Sequence, residues 1–244
     1  MTTKIALVTG ASRGIGAAIA EAFASSGYHL ALCCRTRGEQ LDAHADRLRR
    51  KYGVQIRCFV GDVGTYGFVR AMVDATLETF GHIDVLINNA GISFIGLLTD
   101  MSPGDWEQVT AANLTSVFLT SRLCTPSMVA RKSGRIINIS SVWGSVGASC
   151  ETAYSACKGG VDAFTRALGK ELAPSGIPVN AIACGAIDTD MNRCFSAEEL
   201  DALAQEIPAG RMGTPEEVAE LTLLLCSAPA YLTGQVITLD GGWT

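Results

Sequence analysis

The sequence predicts a doubly wound α/β fold, in which about seven parallel strands form one sheet with helices on both faces. Short apolar runs alternate with longer amphipathic stretches, and a glycine-rich turn follows the first apolar run. Such alternation is typical of strand–helix–strand units, and right-handed crossovers place the helices on both faces of the sheet. No repeat, low-complexity tract or linker interrupts the pattern, so residues 1–244 are predicted to form a single domain.

Seven apolar runs are predicted to be the strands, and six amphipathic stretches are predicted to be the main helices. The predicted strands are 5–9, 30–34, 56–60, 85–88, 135–140, 179–183 and 236–239. The predicted helices are 14–26, 38–52, 65–80, 105–130, 152–173 and 214–227. A further short helix at 196–207 opens with Ser196 and Glu199, which match a capping box. We expect it to lie over the carboxyl edge of the sheet. Thr214 with Glu217 matches another capping box, and Ser102 before Pro103 also marks a helix start.

Charge, hydropathy and cysteine content argue against several classes of function. The net charge is −5 and no basic block occurs, so nucleic acid is not an expected partner. No apolar run approaches the roughly 20 residues of a membrane-spanning helix. The amino-terminal segment is interpreted as a strand rather than a signal peptide. Nine cysteines without a CxxC pair and three isolated histidines indicate reduced thiols, a cytoplasmic location and no metal site.

A glycine-rich loop follows the first predicted strand and opens the first helix, with the spacing G-x3-G-x-G. Glycine permits a tight turn and a close approach of ligand to backbone, while the helix N-terminus presents N–H groups to a pyrophosphate. A strand–helix turn without a ligand is the alternative, but the position after the first strand favours phosphate binding. The predicted contacts are Gly10, Ser12, Arg13, Gly14, Ile15 and Gly16.

The residues after the second strand indicate which nicotinamide cofactor would bind. An acidic residue at this point hydrogen-bonds the ribose 2′-hydroxyl of NAD in such folds. Here Arg35 follows the strand directly, Arg37 comes two residues later, and no acidic residue occurs there. A guanidinium group suits a 2′-phosphate, and Arg13 is a second candidate for the same role. The alternative is a solvated strand end, but two arginines at one expected site favour NADP(H).

Polar residues also follow the third and fourth predicted strands. Asp62 and Val63 follow strand three, and Asn88, Asn89, Ala90 and Gly91 end strand four. Both strand ends are predicted to flank the adenine side of the cofactor. Alternatively, Asn88 and Asn89 tie neighbouring loops to the strand ends.

Tyr154 and Lys158 form the most specific catalytic motif in the sequence. They are four residues apart in a predicted helix, so their side chains share one face of it. The free pKa of tyrosine is about 10, and a nearby ammonium group is expected to lower it toward a useful range. Ser141 follows an apolar strand and is placed to hydrogen-bond a substrate oxygen. A lone YxxxK pattern is usually only a helix surface, but its combination with the glycine loop and the strand-end serine predicts a catalytic site.

Together these motifs resemble the short-chain dehydrogenase/reductase family over essentially the full chain, and within it the 3-oxoacyl-acyl-carrier-protein reductases. The matching segments are TGASRGIG (9–16), NNAG (88–91), Asn113, Ser141, YSACK (154–158), IDTDM (187–191) and TGQVITLDGG (233–242). The resemblance implies a Rossmann fold and NADPH-dependent reduction of a ketone to a secondary alcohol.

The resemblance also implies roles for individual residues. Tyr154 would donate a proton to the carbonyl oxygen, Ser141 would position that oxygen, and Lys158 would tune Tyr154 and bind the nicotinamide ribose. Asn113 would hold a water molecule that relays protons to Lys158. The cofactor contacts implied beyond the glycine loop and Arg35 are Asp62, Val63, Asn89, Ala90, Gly91, Tyr154, Lys158, Gly185, Ile187 and Thr189. The family pattern further implies a homotetramer, with helices 105–130 and 152–173 and the last strand at its interfaces.

Two departures from the family pattern bear on rigidity and on substrate. Cys184 stands where the family usually has proline, so the loop after the sixth strand is expected to be less rigid, with activity retained. Of two basic residues that contact the acyl carrier in the reductases, one aligns with Lys132 and the other falls at Ser175. The second difference weakens the prediction of a carrier-bound substrate.

Residues 143–151 resemble a Gram-positive subgroup that reduces a 5-aminopentanone group on a lysine of elongation factor P. Trp143 and Glu151 are therefore predicted substrate contacts, and the carboxylate would suit a cationic amine. The alternative is that Glu151 only opens the helix, since acidic residues favour helix N-termini. The substrate is thus a small or carrier-bound ketone, or one carried by a protein. The rival class is a non-catalytic regulator that kept a cofactor pocket. The presence of all four predicted catalytic residues argues against it: Asn113, Ser141, Tyr154 and Lys158.

Overall fold

A computed structural model describes residues 3–192 and 196–244 and confirms the predicted fold class. One sheet of seven parallel strands has the order β3-β2-β1-β4-β5-β6-β7. The strands are β1 Ile5–Thr9, β2 His29–Cys34, β3 Ile56–Val60, β4 Val85–Asn88, β5 Arg135–Ser141, β6 Val179–Cys184 and β7 Val236–Leu239. The order of connection reverses between β1 and β4, and such a switch point opens a ligand crevice at the carboxyl ends of the strands.

Helices cover both faces of the sheet. In the described ranges they are α1 Gly14–Ser25, α2 Gly38–Tyr52, α3 Tyr66–Phe80, α4 Pro103–Thr110, α5 Ser116–Arg131, α6 Trp143–Val146, α7 Thr152–Leu172, α8 Ala197–Glu206 and α9 Pro215–Ser227. Phe23 of α1, Leu41 of α2 and Val218 of α9 belong to one core. Met72 of α3 and Met128 of α5 belong to the other. Because both faces are covered, β1 and β6 are buried along their whole length, which explains their largely apolar sequences.

The helix predicted at 105–130 is wrong in its continuity, whereas the predicted cap at Ser102 and Pro103 is confirmed as its start. It begins at Pro103, because Ser102 and Asp105 cap it reciprocally: the Ser102 hydroxyl accepts from the Asp105 amide at 3.1 Å. A π-helical turn, Ala111–Thr115, then separates α4 from α5. Wider turns of this kind often occur at functional sites, and this one carries Asn113.

Two other segments differ from the prediction. β5 and β6 each run one residue further than expected, because Ser141 and Cys184 still pair with each other across the sheet. Between the predicted strand 135–140 and the predicted helix 152–173, where no element was expected, the structure contains the short helix α6. The predicted capping boxes at Ser196 and Thr214 are present and begin α8 and α9. Residues 193–195 belong to the segment 190–212, which the sequence predicts to shape the substrate pocket, and they lie outside the described residues.

Within residues 3–192 and 196–244, no helix is long and apolar enough to cross a membrane. In the same part of the chain, His, Cys, Asp and Glu side chains form no group of three that could hold a metal ion. The eight cysteines that the structure describes carry free thiols.

Candidate active site

A cleft of about 740 Å³ lies at the carboxyl ends of the strands. Loops after β1, β2 and β3 form one end, and the ends of β5 and β6 with the start of α7 form the other. All predicted cofactor and substrate residues line this cleft, as do three of the four predicted catalytic residues. Asn113 alone of these residues is buried behind the lining.

The glycine loop between β1 and α1 fits a bound phosphate. Gly10 has a left-handed backbone, and a Cβ there would come within 2.9 Å of the Ala90 Cα. A Cβ at Gly16 would overlap the Gly10 carbonyl oxygen. The N-cap residue of α1, Arg13, makes no side-chain cap, and the first turn holds no acidic residue. The first N–H groups of α1 therefore meet neither a capping side chain nor a repelling carboxylate, which suits a pyrophosphate.

Asn89 ties the end of β4 to the end of β1. Its side-chain amide donates to the carbonyl oxygens of Thr9 at 2.9 Å and Gly10 at 3.1 Å. The Thr9 hydroxyl in turn accepts from the backbone amides of Asn89 at 2.9 Å and Ala90 at 3.0 Å. These bonds hold the two loops side by side in the cleft. Asn89 therefore connects neighbouring strand ends, as the alternative interpretation of the sequence predicts.

Asn88 faces the protein interior and belongs to a buried polar chain. Its amide nitrogen donates to the Asn138 side-chain oxygen at 2.8 Å, and its oxygen accepts from Thr120 at 2.6 Å. Asn138 donates onward to Thr165 of α7 at 2.8 Å. The chain therefore runs from α5 through β4 and β5 to α7, and Asn88 has a structural role.

Three arginines and two carboxylates gather at the β2 end of the cleft. The Arg35 Nε lies 3.6 Å from the Asp62 carboxylate. Asp190 pairs with Arg13 at 2.9 Å and with Arg37 at 3.8 Å. These five lining residues carry a net charge of +1, which suits an additional anionic group. The pairing of Asp190 with Arg13 was not predicted, because 177 positions separate the two residues.

The catalytic pair lies on α7 beside the end of β5. Lys158 is buried, and its Nζ donates to the Ile139 carbonyl oxygen at 2.8 Å and lies 5.4 Å from the centre of the Tyr154 ring. One turn further along α7, Asp162 accepts a hydrogen bond of 2.6 Å from Ser140. The strand end and the helix are thus fixed to each other at Lys158 and one helical turn beyond it.

Protonation at the pair differs from the sequence-based expectation. Burial raises the pKa of Tyr154 above its ordinary value of 10, and Cys184 and Glu151 add to the effect, whereas a hydrogen bond with Ser141 opposes it. Burial also lowers the pKa of Lys158 to about 8. The expectation that the pKa of Tyr154 falls toward a useful range is wrong for the protein alone, because burial raises it. Tyr154 is therefore a neutral hydroxyl at pH 7 and suited to donate a proton.

Asn113 lies behind Gly91, within the π-helical turn. Its side-chain nitrogen donates to the carbonyl oxygens of Ile92 at 2.7 Å and Val109 at 2.8 Å. Its side-chain oxygen is buried and meets no donor in the described residues. A Cβ at Gly91 would lie 2.6 Å from that oxygen and 3.8 Å from the Lys158 Nζ. The oxygen and the ammonium group therefore approach the same glycine, and a side chain at Gly91 would collide with the Asn113 oxygen.

Glu151 turns toward the cleft and does not cap α7. It occupies the N-cap position without a side-chain cap, and its carboxylate accepts a hydrogen bond from the Ser93 hydroxyl. Cys150 has a left-handed backbone with φ of 63°, and its carbonyl oxygen accepts from the Gly96 amide at 2.9 Å. This unusual conformation turns the chain just before Glu151, so the side chain meets the loop after β4.

Comparison with known proteins identifies the family. A short-chain dehydrogenase/reductase family model, described as enoyl-(acyl carrier protein) reductase, matches residues 10–244. This chain belongs to the short-chain dehydrogenase/reductase family. It is 42% identical to the 3-oxoacyl-[acyl-carrier-protein] reductase of Aquifex aeolicus, covering 98% of this chain and 96% of that one. It is 43% identical to the Synechocystis enzyme of the same name, covering 99% and 97%. An uncharacterized oxidoreductase of Bacillus subtilis is 39% identical, covering 98% of each chain.

As a member of the short-chain dehydrogenase/reductase family, the protein is an oxidoreductase that acts on ketone or hydroxyl groups. Cys184, which stands in place of the usual proline, is buried at the end of β6. Its carbonyl oxygen accepts from the Val142 amide at 3.0 Å, and the Gly185 amide donates to Leu239 at 2.9 Å. The neighbouring strands therefore hold the backbone at this point without the proline ring.

Several lining residues of this short-chain dehydrogenase/reductase were not predicted. Ser93 follows β4, and no sequence motif marks it as a site residue. Trp243 lies next to the end of the chain, where the sequence suggests only a terminal loop. Glu199 and Leu203 belong to α8, whose approach to the cleft depends on tertiary packing. Both lie in the segment 190–212 that the sequence predicts to shape the substrate pocket, but no pattern singled out these two side chains.

Proposed function

We propose that the protein is an NADPH-dependent ketoreductase in which Tyr154 protonates the substrate oxygen. The observation that carries the proposal is that Tyr154, Ser141 and Lys158 line one cleft with a glycine loop suited to a pyrophosphate. NADPH, when bound, supplies the hydride that reduces the carbonyl carbon. The chain's own residues then orient the ketone and manage the proton.

Each residue has one task in this proposal. The Ser141 hydroxyl hydrogen-bonds the carbonyl oxygen and fixes its direction. The neutral Tyr154 hydroxyl donates its proton to the oxygen as negative charge develops there, so a C–H and an O–H bond form together. The Lys158 ammonium group stabilises the phenolate that remains. Asn113 is proposed to hold the water through which Lys158 recovers a proton, since its buried oxygen and the Lys158 ammonium group both approach Gly91.

The cofactor preference follows from the arginines at the β2 end. Arg35, Arg13 and Arg37 give this end a net positive charge, which favours a 2′-phosphate. We expect kcat/KM for NADPH to exceed that for NADH at least tenfold, equivalent to about 1.4 kcal/mol. Arg35→Asp should move the preference toward NADH. Arg50→Asp, on an exposed face of α2, is the matched control. Equal kcat/KM values for both cofactors in the wild type would contradict the proposal.

The substrate is proposed to be a 3-oxoacyl thioester, as the names of the relatives suggest, with an aminoketone as the second candidate. Glu151 favours the second candidate, because its carboxylate lines the cleft and does not cap α7. In a partly desolvated cleft, a carboxylate–ammonium pair favours one substrate by roughly 1–3 kcal/mol.

A paired assay separates the two candidates. We would measure NADPH oxidation with an acetoacetyl thioester, with a ketone bearing a remote amine, and with an enoyl thioester. Glu151→Gln should weaken turnover of the aminoketone about tenfold and leave the neutral ketone unchanged, while exposed Glu220→Gln affects neither. Equal responses of both ketones would rule out charge recognition by Glu151. Failure of every ketone to oxidise NADPH would favour the non-catalytic regulator.

Oligomeric state is a further part of the proposal. We expect a homotetramer on family resemblance, which is an associational argument. Light scattering in dilute buffer tests it, and a monomer at all concentrations would contradict it.

A further inference from the structure

The residues after β7 fold back as a short hook. The Asp240 carboxylate accepts from the backbone amides of Gly242 and Thr244, each at 2.9 Å. Gly241 has a left-handed backbone, and its carbonyl oxygen accepts from the Ala209 amide at 3.1 Å, just after α8. The hook is therefore bound to the segment that follows α8. Trp243 is half-buried although its two neighbours are exposed, because its ring turns inward to line the cleft.

Trp243 packs on Trp143, which lies beside the reacting groups. The ring centres are 4.9 Å apart and the planes meet at 63°, an edge-to-face contact that aromatic pairs favour. The Trp143 amide donates to the Ser141 hydroxyl oxygen at 3.2 Å. A Cβ at Gly144 would come within 2.7 Å of the Lys158 carbonyl carbon, so α6 lies directly on α7. Trp143 is thus held at a fixed position relative to Ser141 and Lys158.

We propose that Trp143 and Trp243, here called the aromatic clamp, restrict the group next to the reacting carbonyl to an unbranched chain. The proposal rests on the ketoreductase function proposed above. Trp143 is fixed to the catalytic helix, and Trp243 is fixed through the hook to the segment after α8, so the two rings approach from separate elements. An unbranched chain can lie along their faces. A branched or aryl group has to separate the rings and pull the hook from Ala209. Trp243 is therefore a specificity-determining residue at the carboxyl end of the chain.

Replacement of Trp243 tests the clamp. The assay compares an unbranched 3-oxoacyl thioester with one whose ketone carries a phenyl group, using kcat/KM with NADPH. Trp243→Ala should reduce the preference for the unbranched substrate at least tenfold, mainly through a lower KM for the phenyl ketone. Trp243→Phe should keep the preference within about threefold. Tyr231→Ala is the matched control, because Tyr231 is 98% exposed and lies outside the cleft. An unchanged preference in Trp243→Ala overturns the proposal.

Binding measurements make the test independent of turnover. Dissociation constants of the two ketones, measured by calorimetry with wild type and Trp243→Ala, should show the same loss of preference. Absence of NADPH oxidation in the wild type, with the binding preference still dependent on Trp243, would reject the proposed function and keep the clamp. A binding preference that is equal in both proteins would reject the clamp whatever the turnover. If Trp243→Ala does not fold, Trp243→Leu replaces it, because it keeps an apolar side chain at the hook.

Discussion

Burial of Lys158 should make this protein less stable than its own inactive variant. The pKa of Lys158 falls from 10.5 to about 8 on folding, chiefly through burial. A shift of about 2.5 units corresponds to about 3 kcal/mol of unfavourable free energy when the group is charged in both states. Lys158→Met removes this cost and also the hydrogen bond to Ile139, which contributes about 1 kcal/mol. We therefore expect the free energy of unfolding at pH 7 to rise by about 2 kcal/mol while turnover is lost.

The sign of the pH dependence follows from where the proton binds. Below pH 8, the lysine is protonated in both folded and unfolded chains, so the full penalty acts on the wild type. Between pH 8 and 10.5, the unfolded chain binds more protons, and the stability of the wild type rises with pH. Above pH 10.5 both states are neutral and the penalty disappears. The advantage of Lys158→Met should therefore shrink across this window and vanish near its upper end.

Urea unfolding at fixed protein concentration, repeated from pH 7 to pH 10, measures this advantage. Lys170→Met is the matched control, because Lys170 lies on the same helix and is exposed. Its free energy of unfolding should differ from that of the wild type by less than about 0.5 kcal/mol. The reasoning is refuted if Lys158→Met is no more stable than the wild type at pH 7, or if its advantage does not change with pH.

Three further variants test the proton donor and the cofactor end of the cleft. Tyr154→Phe should lower kcat about a thousandfold and change NADPH affinity little in a fluorescence titration; retention of a tenth of kcat would exclude Tyr154 as the donor. Asp190→Asn removes the carboxylate that pairs with Arg13 and Arg37, so the dissociation constant of NADPH should fall several-fold, and an unchanged constant would contradict this. Gly16→Ala should weaken NADPH binding at least tenfold, whereas Gly67→Ala, with open space around its Cβ, should not; similar constants for both would be incompatible with the tight loop.

The strands could be predicted closely because each is an apolar run buried on both faces, and the structure moves their ends by one residue at most. The helix at 105–130 shows where such reasoning fails. Its sequence contains no breaker at Ala111–Thr115, yet the chain widens into a π-helical turn there, which places Asn113 behind Gly91. Pro126, which is expected to disrupt a helix, lies within α5 without ending it. Tertiary contacts outweigh local preference at both points.

The candidate site was predictable in composition but not in its electrostatics. Residues at strand ends and on one helix face could be assigned to the cleft because parallel strands end at one edge. The protonation state of Tyr154 could not be predicted, because it depends on how deeply the hydroxyl is buried, which the sequence does not reveal. The pairing of Asp190 with Arg13 and the contact of Trp243 with Trp143 join distant positions, and neither position carries a local pattern that marks its partner.

The buried chain through Asn88 and Asn138 also has a consequence for folding. A parallel sheet made of similar apolar strands can slip by two residues and still present the same faces to the core. In β4 and β5, such a slip would separate Asn88 from Asn138, which are direct partners in the register. Each buried amide left unsatisfied would cost about 1–3 kcal/mol. The hydrogen bond between the two asparagines therefore forms only in the native register. It fixes the alignment of β4, which leads into the NNAG segment, with β5, which ends at Ser141.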